Sequence, residues 1–300
     1  MRPALLIYNP ASGQQRSRER VPALIRALSE AGFEAQEKAT EGPGHAQHLA
    51  REAVGSGTQV VFSFGGDGTL REVAKGLIGS SLALACLPGG TANVLARYWG
   101  IPRHAETAAV QVGSWQPREM DVGLTLSACG REECFLMMAS CGLDGAVLRR
   151  PLSRSKARWG PAAVAAAGLR EWWQMNAAAT LRLEVEGQQR NLSFFSVCNI
   201  PLYGGPFRLA PEARCDDRRL DLVTFSGKGR WTTMALAAAV VTGRHLRRRD
   251  VALEAAENVE LQAPQHPPIQ LDGDAIDLQA PIRFELHPQR LNVLAPISPG

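Results

Sequence analysis

The feature that most constrains this chain is a glycine-rich turn between a predicted strand and a predicted helix. The apolar run Gln59–Phe64 predicts the strand, and a helical pattern begins at Leu70. The turn between them reads Gly-Gly-Asp-Gly-Thr and consists of Gly65, Gly66, Asp67, Gly68 and Thr69. Glycines can adopt positive φ and let the backbone approach an anion, which the N–H groups of a helix N-terminus attract. The turn therefore predicts a phosphate-binding loop in an α/β fold.

The presence of the carboxylate of Asp67 in a phosphate-binding loop requires a separate explanation. A carboxylate repels phosphate unless a cation lies between them, so Asp67 predicts a Mg²⁺ ion that bridges it and a polyphosphate. The alternative is an ordinary turn whose helix is capped by the box of Thr69 and Glu72. The loop is neither a Walker A motif nor a GxGxxG fingerprint, because the residues after it do not match either pattern. The whole five-residue turn favours a nucleotide site.

The first part of the chain alternates predicted strands with predicted helices. The strands are Ala4–Tyr8, Glu34–Ala39, Gln59–Phe64, Leu82–Leu87 and Arg118–Leu124, and the helices are Arg18–Ala31, Gly44–Val54, Leu70–Ile78, Thr91–Tyr98 and Glu106–Val112. This alternation predicts a mostly parallel sheet with helices on both faces. Ligands of such sheets bind beyond the carboxyl ends of the strands, where Asn9, Asp67 and Thr91 are all predicted to lie.

After about Thr125 the pattern changes to short strand-like runs separated by turns. These runs are Cys134–Ser140, Thr180–Glu186, Leu192–Ile200, Leu220–Phe225, Val259–Ala263, Ile269–Leu271 and Ile282–Leu286, with helical insertions near Pro161–Trp173 and Trp231–Arg247. Runs of short strands predict an antiparallel sandwich or a related β domain. We therefore predict an α/β domain over residues 1–125, completed by 288–300, and a β-rich sandwich-like domain over 126–287.

The composition excludes several classes of protein. A chain of 300 residues that is 45% hydrophobic can form substantial cores, and a net charge of +4 does not suggest general binding of nucleic acid. The six cysteines form no CxxC pair, so we expect reduced, buried thiols without a disulfide or zinc. The sequence shows no signal peptide, and its apolar runs are too short to span a bilayer. We expect a cytoplasmic protein with at most peripheral membrane contact.

Three further segments accompany the glycine loop. Asn9-Pro10-x-Ser12-Gly13 follows the first strand, Gly90-Thr91-Ala92-Asn93 follows another, and Asp272-Gly273-Asp274 lies near the end. The loop alone is shared by the diacylglycerol kinase, sphingosine kinase and NAD kinase families. Together with these segments, the chain resembles the diacylglycerol kinase family, especially its soluble bacterial lipid kinases, from about Ala4 to Pro296.

The resemblance implies an activity and a nucleotide site. Members of the family transfer the γ-phosphoryl group of ATP to a lipid hydroxyl, with Mg²⁺ and with the nucleotide in the cleft between the two domains. The positions that match the family's nucleotide contacts are Asn9, Thr40, Gly65, Gly66, Asp67, Gly68, Thr69, Thr91 and Asn93. On residue type alone Thr40 is a plain turn threonine, and Thr91 is a candidate helix cap. The chain departs from the family where Val94-Leu95 replaces a frequent Asp-Phe and where Arg71 replaces a frequent asparagine.

Asp121 and Asp274 match the acidic pair at the active centre of the family. The match implies that Asp274 is the base that accepts the hydroxyl proton and that Asp121 assists it. Relatives usually carry glutamate where Asp274 stands. Without the resemblance, Asp272-Gly273-Asp274 predicts a hairpin turn, because Asp-Gly is a strong turn signal.

The segment Arg214–Arg219 resembles the family's loop around a structural Mg²⁺. Matching by position gives three ligands, namely the carbonyl of Arg214, the carboxylate of Asp217 and the carbonyl of Arg219. Oxygen ligands suit Mg²⁺, but the neighbouring arginines weaken a cation site, so a solvated turn is the alternative.

Two basic stretches, Arg149–Trp159 and Arg244–Arg249, are candidates for contact with an anionic membrane, with Trp172 and Trp173 near the first. Solvated charged loops are the alternative.

Taken together, these features predict an ATP-dependent kinase of diacylglycerol or a related lipid alcohol. We expect it to contact the inner face of the membrane, and a homodimer is compatible with the prediction. Two alternatives stay open, an NAD kinase and a non-catalytic regulator that binds nucleotide or lipid. The Asn-Pro-x-Ser-Gly and Gly-Thr-Ala-Asn segments argue against the NAD kinase.

Overall fold

The computed structural model describes residues 1–12, 17–149 and 180–297. They form two compact units, one of Met1–Asp121 with the segment that begins at Pro288, and one of Val122–His287. The predicted strand Arg118–Leu124 is wrong as a single strand, because it forms Gln116–Met120 in one unit and Gly123–Ser127 in the other. The sequence pattern runs through this break without a turn signal.

A six-stranded sheet forms the centre of the first unit. In spatial order its strands are β2 (Phe33–Ala39), β1 (Arg2–Tyr8), β3 (Val60–Gly65), β4 (Ala83–Pro88), β20 (Leu291–Ala295) and β5 (Gln116–Met120). All neighbouring pairs are parallel except β20 and β5. The helices are α1 (Ser17–Glu30), α2 (His45–Ala53), α3 (Asp67–Leu77), α4 (Val94–Tyr98) and α5 (Ala105–Gln111), followed by a 3-10 turn at Val112–Ser114. The predicted α/β fold with a mostly parallel sheet is confirmed.

The middle of this sheet is buried on both faces. Every residue of β3 and β4 is buried, as expected for parallel strands covered by helices. Phe33 on β2 meets Phe62 on β3 edge to face, with 5.1 Å between the ring centroids. This rigid centre holds in place the loops that leave the carboxyl ends of β1, β2 and β3.

The second unit is a sandwich of two six-stranded sheets. One has the order β10 (Gln188–Leu192), β9 (Leu181–Val185), β16 (Val259–Ala263), β19 (Ile282–Leu286), β6 (Gly123–Ser127) and β7 (Glu132–Phe135). The other has the order β15 (Val251–Ala255), β14 (Asp221–Phe225), β11 (Phe194–Cys198), β8 (Met138–Cys141), β17 (Ile269–Leu271) and β18 (Asp274–Ile276). Phe195 of one sheet meets Phe284 of the other edge to face, with 5.4 Å between centroids. The predicted sandwich is confirmed, although Cys134–Ser140 is two strands in different sheets rather than one.

The remaining elements of this unit are short. They are a hairpin of β12 (Leu202–Tyr203) and β13 (Phe207–Arg208), helices α6 (Leu143–Arg149) and α7 (Arg230–Val241), and a 3-10 turn at His245–Arg247. The predicted helix Trp231–Arg247 is therefore α7 followed by that turn. The predicted helix near Pro161–Trp173 and most of the basic stretch Arg149–Trp159 lie outside the described residues, as does Gly13. No helix in the described ranges is long and apolar enough to cross a membrane.

The six cysteines all lie in the described residues, and none of them forms a disulfide. Cys86, Cys141, Cys198 and Cys215 are buried, and burial raises the pKa of the first three thiols. The prediction of buried thiols is wrong for Cys129, which is exposed in the turn between β6 and β7. The hydrogen bond with Ser127 lowers the pKa of the Cys129 thiol.

The hairpin of β17 and β18 is anchored by Asp272. The turn residues Asp272 and Gly273 have φ of 53° and 92°, as the predicted Asp-Gly hairpin turn requires. The buried Asp272 carboxylate accepts hydrogen bonds from the N–H groups of three successive residues that lead into β8, at 2.8, 2.8 and 3.0 Å. One side chain thus fixes both the turn and its position against the sheet.

Replacement of Asp272 by alanine is expected to destabilise the protein by at least about 3 kcal/mol, because three buried N–H groups lose their acceptor. Asp272→Asn keeps a residue type that tolerates left-handed backbone and retains one oxygen, so it is expected to fall between alanine and wild type. The control is Asp277→Asn on the same hairpin, whose side chain is 78% exposed and which is expected to change stability by less than about 0.5 kcal/mol. Urea unfolding measures all three, and equal stability of wild type and Asp272→Ala contradicts the anchor.

Candidate active site

The glycine loop joins β3 to α3. Gly66 is the N-cap residue of α3 and Asp67 is the first residue of the helix, three positions before the predicted start at Leu70. The loop therefore presents the N–H groups of an eleven-residue helix, which is the arrangement that binds phosphate. The Asn9 amide donates a hydrogen bond of 3.3 Å to the hydroxyl of Thr69, which links this loop to the one after β1.

Two glycine turns approach each other backbone to backbone beside this helix. The N–H of Gly89 donates to the carbonyl of Gly65 at 2.8 Å. A Cβ atom on Gly90 would lie 2.5 Å from the Cα of Gly66. None of the four glycines Gly65, Gly66, Gly89 and Gly90 uses the positive φ that glycine permits. At Gly65, Gly89 and Gly90 a Cβ atom would lie within 3.0 Å of a neighbouring atom, so these three positions leave no room for a side chain.

The carboxylate of Asp67 caps α4. Its Oδ1 accepts a 2.8 Å hydrogen bond from the N–H of Val94, the first residue of that helix. The predicted start of this helix at Thr91 is wrong, because Asn93 has left-handed backbone with φ of 44°. The Asn93 side chain instead closes on Gly90, accepting from its N–H at 3.0 Å and donating to its carbonyl at 2.8 Å. Thr91 is exposed and is not the cap.

Glu72 has a partner that the sequence did not indicate. Its carboxylate accepts from the N–H groups of Gly44 at 2.9 Å and Ala46 at 3.3 Å, at the beginning of α2. The alternative capping box of Thr69 and Glu72 is therefore wrong, and α3 has no side-chain cap. The interaction joins the N-terminal parts of α2 and α3.

A cavity of about 610 Å³ opens at this end of the sheet. It is lined by the loops that follow β1, β2 and β3, and its lining includes Asn9, Ser12, Thr40, Gly66, Gly68 and Thr69. The Thr40 N–H donates to the Tyr8 carbonyl at 2.8 Å, which holds the first two loops together. Three segments that the sequence singled out separately are thus neighbours around one space, whereas Thr91 and Asn93 are not among the described residues that line it.

The charged side chains that line this cavity, within the described ranges, are Glu41 and Glu72. Both are acidic, and Asp67, which is not among the lining residues, begins the helix α3 that carries Glu72. Phosphate would therefore be attracted by backbone N–H groups, and a divalent cation would offset the repulsion from the carboxylates. This donor set fits Mg²⁺ together with a polyphosphate.

Asp121 is buried at the end of the first unit. Its Oδ1 accepts a 2.8 Å hydrogen bond from Nε of Arg290, whose Nη1 donates to Glu119 at 2.8 Å. Hydrogen bonds to Glu119 and Asp121 raise the pKa of Arg290. The sequence singled out Asp121 but not Arg290, because the two are paired across 169 positions. The pair holds the segment before β20 against the end of β5.

Asp274 is exposed at the first position of β18 and lies opposite Leu271. Its hairpin is connected to a polar network that the sequence analysis missed. The Gly273 N–H donates to Gln270 at 2.6 Å, and Gln270 donates to the Ser140 hydroxyl at 2.5 Å. Ser140 in turn donates to Asp144.

Asp144 ends this network. It also accepts hydrogen bonds from the Tyr203 hydroxyl at 3.0 Å and from the Gly145 N–H at 2.7 Å. Burial raises the pKa of Asp144. The sequence signal that could have pointed to Asp144 is its position between two glycines in Gly142-Leu143-Asp144-Gly145. In the structure, a Cβ atom on Gly145 would lie 1.9 Å from the Pro268 carbonyl. The network thus connects the hairpin that carries Asp274 to Ser140 and Asp144.

The segment Arg214–Arg219 forms a turn in which every residue except the buried Cys215 is exposed. Oδ1 of Asp217 accepts from the Arg219 N–H at 3.1 Å, and Arg214 pairs with Asp216 at 3.1 Å. No group of three or more His, Cys, Asp or Glu side chains in the described part of the chain is placed to hold a metal. The ligand set of two carbonyls and one carboxylate stays a prediction.

Both halves of the chain match family models. Residues 3–125 match the diacylglycerol kinase catalytic domain, and residues 137–295 match the YegS C-terminal NAD kinase beta sandwich-like domain. The chain is 31% identical to a "Probable lipid kinase YegS-like" of Pseudomonas aeruginosa (strain UCBPP-PA14), over 95% of this chain and 92% of that protein. It is 27% identical to the diacylglycerol kinase of Bacillus subtilis (strain 168), over 91% and 90%. It has the fold of a diacylglycerol kinase crystal structure from Bacillus anthracis, with a TM-score of 0.77, 22% identity and coverage of 97% and 96%.

The contact between the glycine turns predicts a large difference between two glycine-to-alanine changes. Gly90→Ala is expected to cost about 1–3 kcal/mol of stability, because the new methyl group meets backbone that cannot move aside. Gly42→Ala is the matched control, since nothing lies within 4 Å of its Cβ position and its φ is not positive. Thermal unfolding measures both variants. Equal melting temperatures would contradict the close packing of the two turns.

Proposed function

Because this chain belongs to the family of bacterial diacylglycerol kinases and YegS-like lipid kinases, we propose that its lipid kinase activity transfers the γ-phosphoryl group of ATP to a hydroxyl of diacylglycerol or a related lipid. The observation that carries the donor half of this proposal is the cavity of the first unit. There the N-terminus of α3 and the polar side chains of Asn9 and Thr40 surround a space of about 610 Å³. That volume lies within the range of small-molecule sites, about 300–1,000 Å³.

In this proposal the N–H groups of the glycine loop hold phosphate oxygens. The Thr69 hydroxyl and the Asn9 amide are already hydrogen-bonded to each other, so they are oriented before the nucleotide arrives. Thr91 and Asn93 contribute through the second glycine turn, which Asn93 fixes by its two bonds to Gly90. Asp67 holds Mg²⁺, directly or through water. When bound, Mg²⁺ neutralises charge on the phosphates and makes the terminal phosphorus more electrophilic.

The acceptor half of the proposal assigns the proton acceptor to Asp274. Its carboxylate takes the proton of the lipid hydroxyl as the new oxygen–phosphorus bond forms, and ADP leaves with the electron pair of the broken bond. Asp272 and Gln270 hold the hairpin that presents this carboxylate. We assign Asp121 a positioning role, in keeping with its burial and its ion pair with Arg290.

We also propose a structural Mg²⁺ at the carbonyls of Arg214 and Arg219 and the carboxylate of Asp217. The match of these three positions to the loop of the family supports this assignment. A lipid substrate further implies peripheral contact with the inner face of a membrane, and a homodimer is compatible with the proposal.

The experiment that tests the function is an assay of the purified protein with radiolabelled ATP. Diacylglycerol, a bacterial lipid extract and NAD are the three acceptors. A labelled product that partitions into organic solvent supports the lipid kinase. A labelled water-soluble dinucleotide would support an NAD kinase, and ATP binding without transfer to any acceptor would support a regulator.

Asp67→Asn separates the charge of Asp67 from its capping bond. The asparagine keeps an oxygen for the Val94 N–H, so the melting temperature is expected to stay close to that of wild type. The lost charge is expected to lower kcat about 100-fold or more, most severely at limiting Mg²⁺. Asp67→Ala loses both the charge and the cap, and it is expected to be both inactive and less stable by about 1 kcal/mol. Near wild-type turnover of Asp67→Asn at limiting Mg²⁺ would contradict the metal assignment.

Asp274 is tested by removing its charge and by lengthening it. Asp274→Asn keeps size and turn propensity but cannot accept a proton, so kcat is expected to fall about 100-fold or more at unchanged stability. Asp274→Glu restores the usual residue of the family and is expected to stay active. Asp277→Asn on the same hairpin is the control and is expected to keep full activity. Turnover of lipid by Asp274→Asn at the wild-type rate would make Asp274 a turn residue only.

A further inference from the structure

Helix α7 is apolar, yet the described structure leaves all of its residues at least partly exposed to solvent. It spans Arg230–Val241, and none of these twelve residues is buried. Trp231 is 71% exposed, Val241 61% and Met234 39%. Helices that are apolar on every side ordinarily lie in a protein core or in a membrane, and contiguous exposed apolar surface marks an interaction site. The exposed apolar surface of this helix is therefore a candidate interaction site.

The exposed side chains of α7 share one face. Trp231, Met234, Ala235, Ala238 and Val241 are exposed and follow the three- and four-residue spacing of a helical stripe, and Arg230 and Ala237 are exposed beside it. The other face is half-buried, and Val240 packs against the small core formed around Cys198, Leu209 and Val223. The helix is thus attached by one side and presents an apolar stripe about 18 Å long on the other. That length is too short to cross a hydrocarbon core of about 30 Å, so the helix can lie in a bilayer surface but not span it.

The charges around α7 have one sign. The segment from Ser226 to Arg249 contains no acidic residue and six cations, namely Lys228, Arg230, Arg244, Arg247, Arg248 and Arg249. Most of them follow the helix in the 3-10 turn and its flanks, which the buried His245 holds through a 2.8 Å contact with the Leu209 carbonyl. Arg248 pairs with Asp250 at 2.7 Å, whereas Arg244, Arg247 and Arg249 are exposed.

This charge pattern distinguishes between two partners for the apolar stripe. A second copy of the chain would bring the same cations towards one another, and like charges at an interface oppose association. An anionic phospholipid surface would attract them and would accept the apolar side chains below its headgroups. The exposed tryptophan at one end of the stripe suits the boundary between headgroups and acyl chains.

We propose that α7 lies in the surface of an anionic phospholipid bilayer. Trp231, Met234 and Val241 enter the acyl boundary, and Arg244, Arg247 and Arg249 contact the headgroups. The inference deepens the proposed function by naming the surface that brings the protein to a lipid substrate. Binding itself requires neither ATP nor catalysis. It also refines the sequence prediction, which considered the arginines but not the apolar stripe and which included Arg248, the partner of Asp250.

Cosedimentation with vesicles of phosphatidylglycerol and phosphatidylcholine tests the proposal. Wild type is expected to bind more tightly as the anionic fraction rises and to dissociate at high salt. Trp231→Ser with Met234→Ser, and separately Arg247→Gln with Arg249→Gln, are each expected to weaken binding at least about tenfold. The matched controls are Val110→Ser, which is 62% exposed on α5, and Arg26→Gln with Arg51→Gln, two exposed arginines of the first unit. Both controls are expected to bind as wild type does.

Three further outcomes complete the test. Full vesicle binding by the Trp231→Ser, Met234→Ser variant would overturn the proposal, because the stripe would not be inserted. A wild-type dimer that this variant converts to monomers in sedimentation velocity without vesicles would also overturn it, because the stripe would then be a self-association surface. Vesicle binding that depends on both pairs, in a protein that phosphorylates no lipid, would support α7 as the membrane contact and reject only the proposed kinase activity. Circular dichroism confirms that each variant is folded.

Discussion

The approach of two glycine turns is the constraint on which the first unit's site depends. The backbones of Gly66 and Gly90 almost touch. The helices that follow them, α3 and α4, therefore begin close together beyond the carboxyl ends of the central strands β3 and β4. Asp67 can then cap the neighbouring helix, and Asn93 can close the second turn on itself. The arrangement that we propose for phosphate binding therefore depends on both turns and on the contact between them.

The order of strands and helices in the first unit was predictable because each element carries its own periodicity and its own breakers. The interactions that join elements were not predictable, since their partners are far apart in sequence. Glu72 looked like half of a local capping box, but its carboxylate is used 28 residues away, by Gly44. The helix does not begin at Thr91 as predicted, because Asn93 has left-handed backbone. Asparagine tolerates this conformation, but the residue pattern does not show that Asn93 adopts it.

The second unit shows the same division between local and distant information. The Asp-Gly turn was readable from two residues, and the structure contains it. Its anchor was not readable, because Asp272 binds N–H groups about 135 positions earlier in the chain. The same holds for the network from Gly273 through Gln270 to Asp144, which sets how firmly Asp274 is presented. Residue identity could nominate the acid for catalysis, but only the fold shows what holds it in place.

The position of β20 has a consequence for biosynthesis. This strand lies between β4 and β5 in the central sheet, and β5 has no other strand neighbour among the described residues. During translation β4 and β5 leave the ribosome long before Leu291–Ala295, with the whole second unit made in between. Until the last strand arrives, the nascent first unit has an open sheet edge of the kind that invites aggregation. The first unit can therefore complete its central sheet only after the second unit has been synthesised.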